Sequence, residues 1–104
     1  MAGQFDIAVN LDRGSRRAYP YLIILQHQRV ESPATIIAAP VALPPARSIE
    51  PRLSPKIEIE NQHYVIFVAQ LAAIPKTQVG RVVGNAIGER YAIVRAIDLL
   101  FTGV

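Results

Sequence analysis

Four prolines, Pro44, Pro45, Pro51 and Pro55, fall between Ala42 and Pro55, and they constrain this chain more than any other feature of it. Each removes a backbone donor and fixes φ, so neither a helix nor a central strand tolerates that density. The segment is an irregular excursion with room for a short edge strand at most.

On either side of it the hydrophobic period is that of strands. Phe5-Asp6-Ile7-Ala8-Val9 alternates apolar with small or polar residues, as a half-buried strand does. Leu11 to Arg17 contains Asp12 and Gly14-Ser15 and is a polar turn. Tyr21-Leu22-Ile23-Ile24-Leu25 is continuously apolar, which suits a strand covered on both faces. Pro20 precedes it, where a missing N–H does least harm. Thr35 to Ala39 is a third strand, ended by Pro40. Past the excursion, Lys56-Ile57-Glu58-Ile59-Glu60 alternates cleanly, Asn61-Gln62 turns, and His63 to Val68 returns as the second arm of a hairpin.

The last third changes character. Pro75 to Gly80 reads as a single helical turn, opened by proline and closed by glycine. Gly80, Gly84 and Gly88 read as a flexible connection into a final helix from about Glu89 to Phe101. On that helix Ile93, Ala96, Ile97 and Leu100 share a core-facing stripe, and Tyr91, Arg95, Asp98 and Thr102 lie opposite. The order of elements predicts a mainly β fold with a C-terminal α-helix: a curved antiparallel sheet or SH3-like small barrel with the helix over one side.

The length of 104 residues holds one small domain, residues 1–104. With 51% hydrophobic and 18% charged residues it is a packed globule rather than a disordered chain. There is no cysteine, which excludes disulfides, zinc–thiolate and iron–sulfur sites and a cysteine nucleophile, and suits a reducing cytoplasm. A domain this short without staples is expected to pair with a second copy. The uncharged stretch Ser32 to Ala46 is broken by prolines and shorter than the roughly 20 residues of a spanning helix, so a soluble cytoplasmic protein without membrane contact is expected.

Chemistry-bearing residues are sparse. The net charge is +3, but the cations are scattered, which argues against a sequence-specific nucleic-acid surface. Their one dense group is Arg13-Gly14-Ser15-Arg16-Arg17, which reads as a solvated turn or, as the functional alternative, a docking loop for an acidic peptide. His27 and His63 have no ligand spacing around them, so no metal site is expected. Glu58 and Glu60 share the wet face of a strand, a weak candidate for a carboxylate pair. The glycines do not form a nucleotide-binding loop, and no cofactor is expected. Without a nucleophile–base constellation the chain is expected to act by binding, with no catalytic residues.

Several short stretches, collinear over nearly the whole chain, resemble the CcdB family of toxins from bacterial toxin–antitoxin pairs. They are Gln4-Phe5, Pro40-Val41-Ala42, Pro55-Lys56-Ile57-Glu58-Ile59, Ala72-Ala73-Ile74-Pro75 and the ending Ala96-Ile97-Asp98-Leu99-Leu100-Phe101-Thr102-Gly103-Val104. The resemblance implies an SH3-type barrel with a C-terminal helix, a two-fold homodimer, action on the A subunit of DNA gyrase as a topoisomerase poison, and neutralisation by a CcdA-like antitoxin whose disordered tail folds onto the toxin. It places gyrase contacts on Tyr91, Arg95, Asp98, Thr102, Gly103 and Val104, and the arginine loop, Arg13, Arg16 and Arg17, becomes the candidate antitoxin site. The best-known member ends Phe-Trp-Gly-Ile, and its tryptophan stacks on a gyrase arginine. Here Thr102 stands at that position, a loss on the order of 2 kcal/mol at an interface centre. Asp98 replaces an amide of that member. The alternatives are an endoribonuclease toxin on the related barrel, with His27 and Arg29 as its only local candidates, and a non-toxic protein of the same fold that retains antitoxin binding alone.

Overall fold

Seven strands and one helix follow one another in the computed structural model, which describes residues 2–104. They are β1 (Asp6–Asn10), β2 (Tyr21–Ile24), β3 (Thr35–Ala42), β4 (Lys56–Ile59), β5 (Gln62–Ile66), β6 (Ala72–Pro75), β7 (Val79–Asn85) and α1 (Arg90–Thr102). All pairings are antiparallel, in the order β4-β5-β3-β2-β1-β7. Strand β6 joins antiparallel to the first half of β3, Thr35 opposite Pro75, while β5 takes the end of β3 at Val41 and Ala42. Serving three neighbours along eight residues, β3 bends the sheet into a half-barrel with α1 against one face.

The alternation along β2 explains the two-sided core. Ile23 and Leu25 point to the helix side, where they meet Ile7, Val41, Ile57, Ile66 and the helix residues Ile93 and Ala96. Leu22 and Ile24 point the other way, against Ala38, Ile36, Ile74 and Val79. A third cluster of Ala42, Val65 and Phe67 is closed by Tyr19, whose ring meets that of Phe67 edge-on at 5.8 Å. Each such aliphatic side chain removed from water contributes about 1.5–3 kcal/mol before the entropy of ordering is counted.

The mainly β architecture, the strands before the excursion and the C-terminal helix agree with the sequence reading. Between the end of β3 and β4 the backbone is irregular apart from a short 3-10 turn at Pro51–Leu53. Four details differ. Strand β3 runs through Pro40 to Ala42 rather than ending at the proline: Pro40 sits opposite Leu22, and its carbonyl accepts from the Phe67 N–H at 2.9 Å. The missing donor therefore costs the ladder little. The hairpin turns at Glu60–Asn61, one residue earlier than read, with both in the left-handed region (φ 51° and 66°) and Ile59 opposite Gln62. That turn also takes Glu60 off the strand, so Glu58 and Glu60 do not form a pair on one strand face. The helical turn read at Pro75 to Gly80 is a 3-10 turn at Lys76–Gln78 between two unforeseen strands, β6 and β7. Gly80 and Gly84 are accordingly not a flexible connection but members of β7, Gly84 opposite Ile7.

Candidate protein-interaction surfaces

Helix α1 mixes strong helix formers with β-branched and aromatic residues, held by its apolar stripe, and ends on Gly103. That glycine takes φ 78°, where a side chain would be strained, and its N–H closes the helix on the Leu99 carbonyl at 3.0 Å. The helix buries Ile93 and Ala96 completely and Ile97 and Leu100 partly, as the periodicity requires. Tyr91, Arg95, Asp98 and Thr102 are all exposed on the outer side, Tyr91 to 84%. The Thr102 hydroxyl donates to the Asp98 carbonyl at 2.6 Å and so is held within its own helix.

The exposed face is more apolar than the four outer residues suggest. Phe101 is 67% exposed and Val94 also reaches solvent. Their spacing supplied the signal: Tyr91, Val94, Asp98 and Phe101 recur at three, four and three, the period of one helix stripe. Val104, 89% exposed, lies past the cap. Arg95 and Val104 also line one shallow cleft of about 330 Å³, together with Leu99, Pro51, Arg52 and Pro55 from the 3-10 turn before β4. Tyr91, Asp98 and Thr102 are outside that cleft. Beside it the Arg52 guanidinium donates to the Glu50 carboxylate at 2.7 Å, the one ion pair among the described residues. That hydrogen bond holds the Glu50 carboxyl below the usual carboxylate range.

The second surface is the loop from Leu11 to Arg17. It is an ordered turn. Asn10, 3% exposed at the end of β1, donates through Nδ2 to Ser15 Oγ (3.0 Å) and the Tyr19 carbonyl (2.8 Å), and accepts the Asp12 N–H at Oδ1 (3.0 Å). The Ser15 hydroxyl donates to Asp12 Oδ2 at 2.7 Å, and the Arg16 N–H donates to the Asp12 carbonyl at 2.8 Å. Asp12 is thereby committed to the turn. Arg13, Arg16 and Arg17 stand outward, all exposed. The sequence reading missed Asn10, the residue that fixes them: a polar residue falls there in step with the alternation, so its burial left no trace in the sequence.

Of the ribonuclease alternative's residues, His27 lines a cleft beside Lys76 and Arg81, and neither it nor Arg29 belongs to the helix face or to the arginine loop itself. His27 and Arg29 are exposed on the loop after β2, and His27 Nδ1 accepts the Arg29 backbone N–H at 3.0 Å. No three His, Asp or Glu residues come together as metal ligands among the described residues. No helix among them is long and apolar enough to cross a membrane. A family model described as CcdB protein matches residues 4–103, nearly the whole chain. Among curated proteins none matches.

Proposed function

Since the chain belongs to the CcdB family of toxin–antitoxin toxins, we propose that it is the toxin of such a pair, a cytoplasmic homodimer that inhibits DNA gyrase and is neutralised by a CcdA-like antitoxin. The observation that carries the reading is the outer face of α1. Tyr91 near the start of α1, and Phe101 and Val104 at its far end, are left in water, while the inner face of the helix seats Ile93 and Ala96 in the core. Large exposed apolar side chains grouped this way mark a binding surface. Around them Arg95, Asp98, Thr102 and Gly103 supply the polar rim of the gyrase contact, and a two-fold dimer presents the face twice. The protein acts by occupying its target, not by bond chemistry. The antitoxin docks on the arginine loop, where three exposed guanidinium groups on an ordered turn meet an acidic tail with little ordering cost on the toxin side.

The test is a supercoiling and cleavage-trapping assay with purified gyrase, run beside a pull-down on the gyrase A subunit. Wild type, a variant lacking residues 102–104 and Thr102→Trp are compared, with sedimentation to report the dimer. Binding by the wild type, lost on truncation and strengthened by the restored aromatic, supports the reading. If all three remain folded dimers and none binds gyrase, the gyrase target is wrong and the antitoxin-binding protein of the same fold takes its place.

A further inference from the structure

On the face of the sheet opposite α1 the core is incompletely covered. A cleft of about 670 Å³ opens there between the loop after β2 and the start of β7. Its apolar wall is Val30, Ile36, Val79 and Val82. Ile36 and Val79 extend the second core cluster, while Val30 and Val82 are exposed. Lys76 and Arg81 also line it, and neither is paired with a carboxylate among the described residues. The wall itself is the terminal strand of the sheet: among the described residues β7 pairs with β1 on one side and with no strand on the other. An open edge of this kind is a template for an added strand.

The cleft is continuous with the arginine loop. Gly80, in its wall, packs so closely on the end of β1 that a Cβ there would stand 2.9 Å from the Val9 carbonyl and 3.2 Å from Leu11 Cδ2. The Leu11 N–H donates to the Gln78 carbonyl at 2.9 Å, and the exposed Leu11 is the first residue of the loop. An unbroken surface therefore runs from the apolar cleft across Leu11 to Arg13, Arg16 and Arg17. It carries the cations Lys76, Arg81, Arg13, Arg16 and Arg17 against Glu31 in the cleft and Asp12, whose carboxylate is already taken by Ser15.

We infer that this surface holds one extended acidic segment of the partner, its aliphatic side chains in the cleft and its carboxylates on Lys76 and Arg81. The inference rests on the reading of the chain as half of a toxin–antitoxin pair, and it adds a second anchor to the arginine loop. An extended chain has the required period: alternate side chains face one way, so a sequence alternating carboxylates with aliphatic residues gives one face to the cleft and the other to the cations. A helix cannot use the open edge of β7 in this way.

The probe is a fluorescein-labelled dodecapeptide of alternating Glu and Leu, with an alternating Lys and Leu peptide as control, followed by anisotropy at low salt. The wild type binds the acidic peptide and not the basic one. Lys76→Glu/Arg81→Glu and, separately, Val82→Asp weaken binding by about tenfold or more. These positions are exposed, and an unchanged thermal midpoint verifies the fold; where the reversal shifts it, Lys76→Gln/Arg81→Gln repeats the test. Failure of the acidic peptide to bind, or binding indifferent to both cleft variants, overturns the inference. If Arg13→Glu/Arg16→Glu/Arg17→Glu weakens binding while the cleft variants do not, the cleft is wrong and the loop reading survives. If the cleft variants alone weaken it, the inference holds and the loop loses its role.

Discussion

Replacing Asn10 by alanine removes the carboxamide on which the arginine loop is hung. Three hydrogen bonds go with it: to Ser15 Oγ, to the Tyr19 carbonyl and from the Asp12 N–H. A net contribution of about 0.5–1.5 kcal/mol each gives roughly 1.5–4.5 kcal/mol. Two circumstances reduce that figure. The Asn10 backbone keeps its own bond to the Pro20 carbonyl, and Ser15 keeps the Asp12 carboxylate. All three lost bonds are only partly buried, so water reaches the freed groups. The expected loss is about 2–3 kcal/mol. In urea that is a fall in midpoint of about 0.7–3 M at unchanged slope, given a slope of about 1–3 kcal/mol/M. Hydrogen exchange localises the effect: the Arg16 and Tyr19 amides, bonded to the Asp12 and Ser15 carbonyls, lose protection ahead of the core strands. Asn10→Asp keeps the shape and the acceptor for Asp12 but faces the Tyr19 carbonyl with another oxygen, so it is expected to cost at least as much. A loss under about 0.5 kcal/mol for the alanine variant, with loop protection intact, would refute the account; the backbone turn would then be sufficient by itself.

Ile93→Ala empties a fully buried position under the helix and is expected to cost about 2–5 kcal/mol in equilibrium unfolding. Gly80→Ala forces a methyl onto the Val9 carbonyl and loses about 1–3 kcal/mol, whereas at Gly84 the nearest atom is the Ile7 Cδ1 at 3.8 Å and alanine is tolerated or gains about 0.5 kcal/mol; equal effects at the two glycines would contradict the close approach. Burial pushes the Tyr64 hydroxyl above its ordinary value of 10.0, with the neighbouring Tyr21 adding to the shift. The folded state therefore keeps a proton that the unfolded chain releases, and its stability is complete below pH 10 and declines as pH rises through the folded value. Tyr64→Phe should flatten that alkaline decline, read as urea midpoint against pH.

What was legible in the chain follows from how locally each signal is written. The burial of β2 on both faces is carried by five consecutive apolar residues, and the faces of α1 by a period of three and four. Neither needs a distant partner to be recognised. Strand β6 is Ala-Ala-Ile-Pro, in which only Ile74 favours a strand, and it exists because the first half of β3 offers it an edge. In β7 the glycines at 80 and 84 hide a strand: the first is required by the backbone of β1, a contact with no trace in the neighbouring sequence. The hairpin was visible, but its turn was shifted by one because Glu60 adopts a left-handed conformation that glutamate seldom takes. At the sites, exposure of the arginines and of the helix stripe follows from polarity and period. The cleft does not, since it is assembled from a loop after β2 and a strand whose existence depends on long-range pairing.

That long-range pairing governs how the molecule comes together in time. The Asn85 side chain reaches Asp6, 79 positions earlier, and β1 lies between β2 and a strand near the opposite end of the matched region. Closing so long a loop carries an entropic cost that must be met before any contact rewards it, which places folding in the slow, millisecond-to-second class of β-rich domains. The tightest local pairing is the β4–β5 hairpin, which by itself leaves the apolar β2 and β3 without cover. A chain still lacking β7 has no cleft wall, and α1 has no finished floor on which to seat Ile93 and Ala96. Both binding surfaces are therefore late products of folding: a nascent or locally opened chain presents sticky strand edges before it presents either docking face, and its hazard at that stage is aggregation rather than recognition.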